Sequence, residues 1–156
     1  MIDLDDKDRV LLALLQKDGR LSNVKLAEEL HLSETPCWRR VKRLEESGVI
    51  EGYHAKLNRR ELGMGVCAIV QLTCRSHASD LNKEIEETVA STAEIISCHR
   101  VTGDVDYFLE IVTKDLDSFE VFLDTVLRKN PNIISIKSSL SLRELKSKGP
   151  LPLDRL

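Results

Sequence analysis

From residue 66 onward the spacing of apolar residues alternates between a period of two and a period near 3.6, and that alternation leaves few folds open. Val66, Ala68, Val70, Leu72 and Cys74 recur at every second position, which places them on one face of a strand. Leu81, Ile85 and Val89 follow at intervals of four and predict a helix over 80–91. Two β-branched segments, 95–102 and 105–113, flank Gly103-Asp104, a pair suited to a two-residue hairpin turn. Phe119, Phe122, Leu123, Val126 and Leu127 then fall at i, i+3, i+4, i+7 and i+8, an amphipathic helix. Ile134, Ile136, Leu140 and Leu142 alternate again as a last strand. The order β-α-β-β-α-β is that of the ferredoxin-like split motif. Ile69, Phe108, Val112 and Ile133 are expected on a half-apolar second face that a partner copy would cover.

The first third has helical spacing only. Asp5 is placed to cap a helix whose first turn carries Asp6 and Asp8, complementing the positive end of the helix dipole, and Leu11, Leu14 and Leu15 supply its stripe before Asp18-Gly19 ends it. Ser22 caps a second helix over 23–30 with Val24, Ala27 and Leu30 facing inward. Only residues 31–33 separate it from a third helix. That helix is capped by Ser33, or by Thr35 with Pro36 at the first helical position, and closes at Glu46-Ser47-Gly48. Its inward stripe is Cys37, Val41 and Leu44. Residues 49–57 are β-branched and aromatic enough for a strand that would form a wing, unless Glu51-Gly52 makes a turn there. The polar, glycine-bearing stretch 58–65 is the expected linker. The expected organisation is therefore α+β, with a winged helix-turn-helix over 1–57 and a ferredoxin-like domain over 66–156.

Composition narrows the partners. The chain has 156 residues, 42% hydrophobic and 31% charged, with 7 Gly and 4 Pro, values of a folded globular protein rather than a disordered one. Its apolar runs are far shorter than the roughly 18–20 residues of a membrane helix. The start, Met-Ile-Asp-Leu-Asp-Asp, is acidic where a secretory signal would be basic, so a cytoplasmic location is expected, with Cys37, Cys67, Cys74 and Cys98 as reduced thiols. The net charge of −3 hides an uneven distribution, +1 over residues 1–60 and −4 over the remainder. Residues 34–44 alone carry +3.

A capped helix, a three-residue turn and a second helix with basic residues is the arrangement that lays one helix in the DNA major groove. Arg39 and Arg43 lie on one side of the third helix with Arg40 beside them, and Lys42 joins the same basic run. Ser33, Thr35 and Pro36 offer hydroxyl and apolar groups at its N-terminal end, the end that meets base edges. Asn23 and Lys25 are expected to reach phosphates from the preceding helix. Trp38, one residue off the stripe, is expected to pack at the edge of the core.

Other chemistries find less support. No Cys-x-x-Cys pair exists, Cys67 and Cys74 point to opposite faces of one strand, and Cys98 and His99 likewise diverge, so ordinary buried thiols are expected rather than a metal site or cofactor. The segment Val101-Thr102-Gly103-Asp104-Val105-Asp106-Tyr107 is the unusual one. Glycine lets a ligand approach the backbone, turn amides can hold a carboxylate, and an aspartate can pair with an ammonium group, a combination that suits a free amino acid.

Leu4-Asp5 with Asp8, Gln16-Lys17-Asp18-Gly19-Arg20, Leu26-Ala27, Leu32-Ser33-Glu34-Thr35-Pro36-Cys37, Val41-Lys42-Arg43-Leu44-Glu45 with Gly48-Val49-Ile50, and the 101–107 segment together resemble the Lrp/AsnC, or feast/famine, transcription regulators. The resemblance implies homodimers that assemble into octamer-like rings on double-stranded DNA. It also implies an amino acid bound between dimers at Gly103, Asp104, Val105 and Asp106, with Leu140 and Ser141 contributing from the last strand. Two readings of other classes compete: a small enzyme on a dimeric ferredoxin-like fold, which leaves the basic helix without a purpose, and a metal or redox switch built from the cysteines with His31, His54, His77 and His99, which are scattered along the chain.

Overall fold

The computed structural model describes residues 3–75, 79–147 and 149–153; His77, and the side chain of Leu81 on which one sequence-predicted helix face rested, lie outside the described residues. The chain divides into two compact units, residues 1–56 with 146–156, and residues 57–145. The stretch 58–65 falls within the second unit, and the segment from 146 belongs with the first, where Leu153 packs against its core.

The first unit holds α1 (Asp6–Lys17), α2 (Asn23–Glu29) and α3 (Glu34–Glu46). A reciprocal capping box starts α1: the Asp8 N–H donates to Asp5 Oδ1 at 2.9 Å and the Asp5 N–H to Asp8 Oδ2 at 3.1 Å. Leu11, Leu12, Leu26, Ala27, Leu30, Cys37 and Leu44 form the buried core. The turn between α2 and α3 passes through His31, whose φ of 51° is left-handed, and closes with the Leu32 N–H on the Ala27 carbonyl. Three expectations change. Val24 is exposed, because the α2 stripe runs through Leu26, Ala27 and Leu30 instead. Of the two caps expected for α3, Ser33 is the one found, without a side-chain hydrogen bond, and Pro36 stands at the third helical position. Trp38 is 52% exposed rather than at the core edge. Residues 51–57 contain no strand, since nothing among the described residues pairs with them; Ile50 instead donates its N–H to the Leu44 carbonyl beyond the C-terminus of α3 and packs on the core.

The second unit is a four-stranded antiparallel sheet in the order β2-β3-β1-β4, from β1 (Val66–Cys74), β2 (Ile95–Arg100), β3 (Tyr107–Thr113) and β4 (Ile133–Leu140). Helix α4 (Ser79–Ser91) joins β1 to β2. Helix α5 (Leu116–Phe122) continues as a π-helical turn, Leu123–Leu127, before β4. Ala68, Val70, Leu72, Tyr107, Leu109 and Ile111 supply the core face and Phe119, Phe122, Leu123 and Leu127 cover it. Cys67, Ile69, Phe108 and Val112 alternate onto the other face, as the strand period requires.

Bulges account for the differences from the expected register. The shift between Thr73 and Cys74 brings both Ile133 and Ile136 against the core although they are an odd number apart, and leaves Ile134 exposed. Ile133 therefore leaves the second face, and Leu142 lies beyond β4 in solvent. A second bulge at Ile96 lets Ile95 and Cys98 share the core side.

Candidate DNA interface and effector site

The exposed strip of α3 is narrower than the basic run in the sequence. At about 100° per residue, Thr35, Arg39 and Lys42 lie opposite the buried Cys37 and Leu44 and the partly buried Val41, and all three are exposed. Ser33 and Pro36 are exposed at the same end, and Lys25 is exposed on α2. Lys42 Nζ stands 5.1 Å from the Trp38 ring centroid and 3.6 Å from Glu46 Oε1, so Trp38 forms one flank of the strip and leaves Lys42 half exposed.

Arg40 and Arg43 occupy the other flank, Arg40 partly buried and Arg43 exposed, and both are ion-paired to the start of α1. Arg40 Nη1 donates to Asp5 Oδ2 at 2.7 Å and to Asp8 Oδ1 at 2.8 Å, and Arg43 Nη2 donates to Asp8 Oδ2. The Asp8 side chain is 1% exposed. The Asp5 carboxyl is held below its ordinary range by the Asp8 backbone N–H and then by the Arg40 guanidinium, and the Arg40 pKa is raised by its bonds to Asp5 and Asp8. The sequence expectation that the charges face out together is corrected for Arg40, which turns to α1 and is partly buried; Arg43 stays exposed while its guanidinium pairs with Asp8. Asn23 is corrected as well, because its Nδ2 donates to the Glu34 carbonyl at 2.9 Å and ties the start of α2 to the start of α3. The acidic clamp escaped sequence reading, which treated Asp6 and Asp8 as dipole partners only. Its signal was present in the three-residue spacings Asp5/Asp8 and Arg40/Arg43, each of which puts two charges on one helix edge.

The predicted effector loop is longer than a two-residue turn. Arg100 pairs with Tyr107, leaving residues 101–106 as the connection. Asp106 anchors it: its N–H donates to the Leu72 carbonyl at 2.8 Å, its carbonyl accepts the Val101 N–H at 2.9 Å, and its Oδ2 accepts the Cys74 N–H at 2.7 Å beside the β1 bulge. This carboxylate braces the sheet through Oδ2. Gly103 and Asp104 are exposed at the tip, Val105 is half-buried, and Gly103 adopts φ 120°, which favours glycine. Leu140 pairs with Ala68 and the Ser141 N–H donates to the Cys67 carbonyl. Four residues of β1, about 13 Å at ~3.3 Å per residue, separate that end from Leu72, so one chain does not bring Leu140 and Ser141 to the 101–106 loop.

The cysteines are apart, Cys37 in the first core, Cys74 and Cys98 against the second, and Cys67 with its Sγ 3.5 Å from Glu110 Oε1 on the opposite face. Among the described residues no group of three or more His, Cys, Asp or Glu is arranged to hold a metal ion, and no helix is long and apolar enough to cross a membrane.

Residues 4–51 match the family model of a winged helix-turn-helix DNA-binding domain, and residues 67–151 that of the Lrp/AsnC ligand binding domain. The chain belongs to the Lrp/AsnC family. The Bkd operon transcriptional regulator of Pseudomonas aeruginosa is 37% identical over 153 residues, 98% of this chain and 100% of that one. The leucine-responsive regulatory protein of Escherichia coli is 38% identical over 149 residues, 96% of this chain and 91% of that one. Among solved structures, a Neisseria meningitidis transcriptional regulator in complex with L-Met is 34% identical, covers 98% of this chain and 99% of its own, and has a TM-score of 0.92. As an Lrp/AsnC regulator the protein pairs a DNA-binding unit with a ligand-binding unit. The α2–turn–α3 geometry belongs to the first, and the four-stranded sheet with its 101–106 loop to the second.

Proposed function

We propose that this protein is a cytoplasmic, non-enzymatic regulator that reads double-stranded DNA with the Thr35–Arg39–Lys42 strip of α3 and answers to a free amino acid bound in its sheet unit. The observation that carries the reading is the strip itself, a helix reached through a short turn whose N-terminal residues and two exposed cations, Arg39 and Lys42, stand clear of the core. Ser33, Thr35, Pro36 and Arg39 meet base edges, while Lys25 and Lys42 meet phosphates. Gly103, Asp104 and Val105 bind the amino acid, with Asp106 as scaffold. Leu140 and Ser141 complete that site only from another copy, because the sheet separates them within one chain. That separation supports a homodimer that assembles further, up to an octamer, with the effector at a junction between copies. The L-Met complex of the Neisseria relative supports an amino acid as the ligand class.

Genomic DNA fragments captured by the purified protein and sequenced should enrich a shared motif, and a screen of the twenty amino acids by calorimetry should find at least one that binds and shifts capture. Capture without sequence preference, together with silence from all twenty, would reject the reading.

A further inference from the structure

The clamp between α1 and α3 is unlike an ordinary surface ion pair. The Asp8 carboxylate is buried, and a buried carboxylate without a cation is strongly unfavourable, so the guanidinium groups that meet it are not free to leave at low cost. Two arginines three residues apart converge on it from one flank of α3, Arg40 reaching Asp5 as well, and both acids are locked by the capping box that starts α1. Apolar contacts of α3 through Cys37 and Leu44 set how deep the helix sits, whereas a forked ionic contact on one flank opposes rotation about its axis. Resting on the DNA-binding reading above, we propose that Asp8, backed by Asp5, is a positioning residue for DNA recognition: it withholds Arg40 and Arg43 from the phosphates and fixes the rotation at which α3 presents Thr35, Arg39 and Lys42. Half of the basic run in 34–44 then adds no phosphate contact at all. Its charge is matched by Asp5 and Asp8.

The test is the slope of log K against log salt for the full-length protein on a captured DNA fragment, because each phosphate contact contributes roughly 0.9 to that slope. Arg39→Ala and Lys42→Ala should flatten it by that amount per recognition helix. Arg40→Gln and Arg43→Gln should lower affinity for the captured fragment relative to random DNA yet leave the slope as in wild type. Asp8→Asn should steepen the slope, by up to about 0.9 for each guanidinium it releases, while specificity for the fragment falls. A purely structural Asp8 would leave the slope unchanged. Should the arginine variants fail to fold, as judged by thermal melting, the charge-neutral Asp5→Asn/Asp8→Asn/Arg40→Gln/Arg43→Gln variant removes both carboxylates together with both guanidinium partners and keeps the comparison available. Flattening by Arg40→Gln or Arg43→Gln, or by that neutral variant, would overturn the proposal, as would an unchanged slope in Asp8→Asn. Absence of salt-dependent binding by the wild-type protein would instead overturn the DNA-binding reading, so the two failures are distinguishable.

Discussion

At Asp106 one carboxylate oxygen accepts the Cys74 N–H, so truncation there breaks a link within the sheet unit as well as removing a charge beside the proposed ligand. Asp106→Ala should lower stability by about 1 kcal/mol or more, since a partly buried donor loses its acceptor. Asp104→Ala is exposed and should stay within about 0.5 kcal/mol of wild type while losing amino-acid binding. Calorimetric melting with and without the amino acid separates the two, and an equal loss of stability in both variants would contradict the assignment of Asp106 as scaffold. The cysteines give a second expectation at this scale. Burial pushes the thiols of Cys37, Cys67, Cys74 and Cys98 up, so they stay protonated at neutral pH, where the thiolate is the reactive form. Alkylation should be slow in the native protein and fast in denaturant; rapid native labelling of any one of them at pH 7 would revive a redox role.

Leu44 shows what the elements depend on, since it is fully buried where α3 meets the first core. Leu44→Ala should cost about 2–5 kcal/mol in a denaturant melt. Acid should weaken the same unit through the start of α1. The Asp5 carboxyl titrates below its unfolded value, so its contribution is complete above about pH 3.9 and is lost as pH falls through the lower folded value. Asp5→Asn should therefore flatten the acid limb of a melting-temperature profile while leaving its neutral plateau almost parallel. The elements themselves were legible in sequence wherever an apolar period persisted: β1 from Val66 to Cys74 and the helix through Phe119 and Phe122 appear as read. What escaped reading depends on partners distant in sequence. Residues 49–57 have strand-like composition but no neighbour to pair with, Ile134 is expelled by a bulge that its own spacing does not encode, and Arg40 and Arg43 look like unpaired cations until α1 brings Asp8 to them. At the candidate ligand site the loop was legible from Gly103 and Asp104. The distance from it to Leu140 was not, because it follows from the β1 register.

For the whole molecule, the sheet face that carries no helix presents Ile69 and Phe108 beside the buried Val112 and Cys67, an apolar patch that a second copy would cover. Ile69→Lys in the centre of β1 should lower the mass measured by sedimentation at micromolar concentration without unfolding the sheet; an unchanged assembly would place the interface elsewhere. The larger expectation is that one chain couples a DNA reader to an amino-acid site. Coupling of this kind is a free energy shared between ligands, so it is reciprocal: an amino acid that changes DNA affinity by some factor has its own affinity changed by DNA by the same factor. The most direct measurement titrates the effective amino acid into the protein calorimetrically, with and without saturating DNA, and the same DNA into the protein with and without the amino acid. The account predicts two equal factors, each between about 5 and 150. Two factors of one, with both ligands bound, would contradict it.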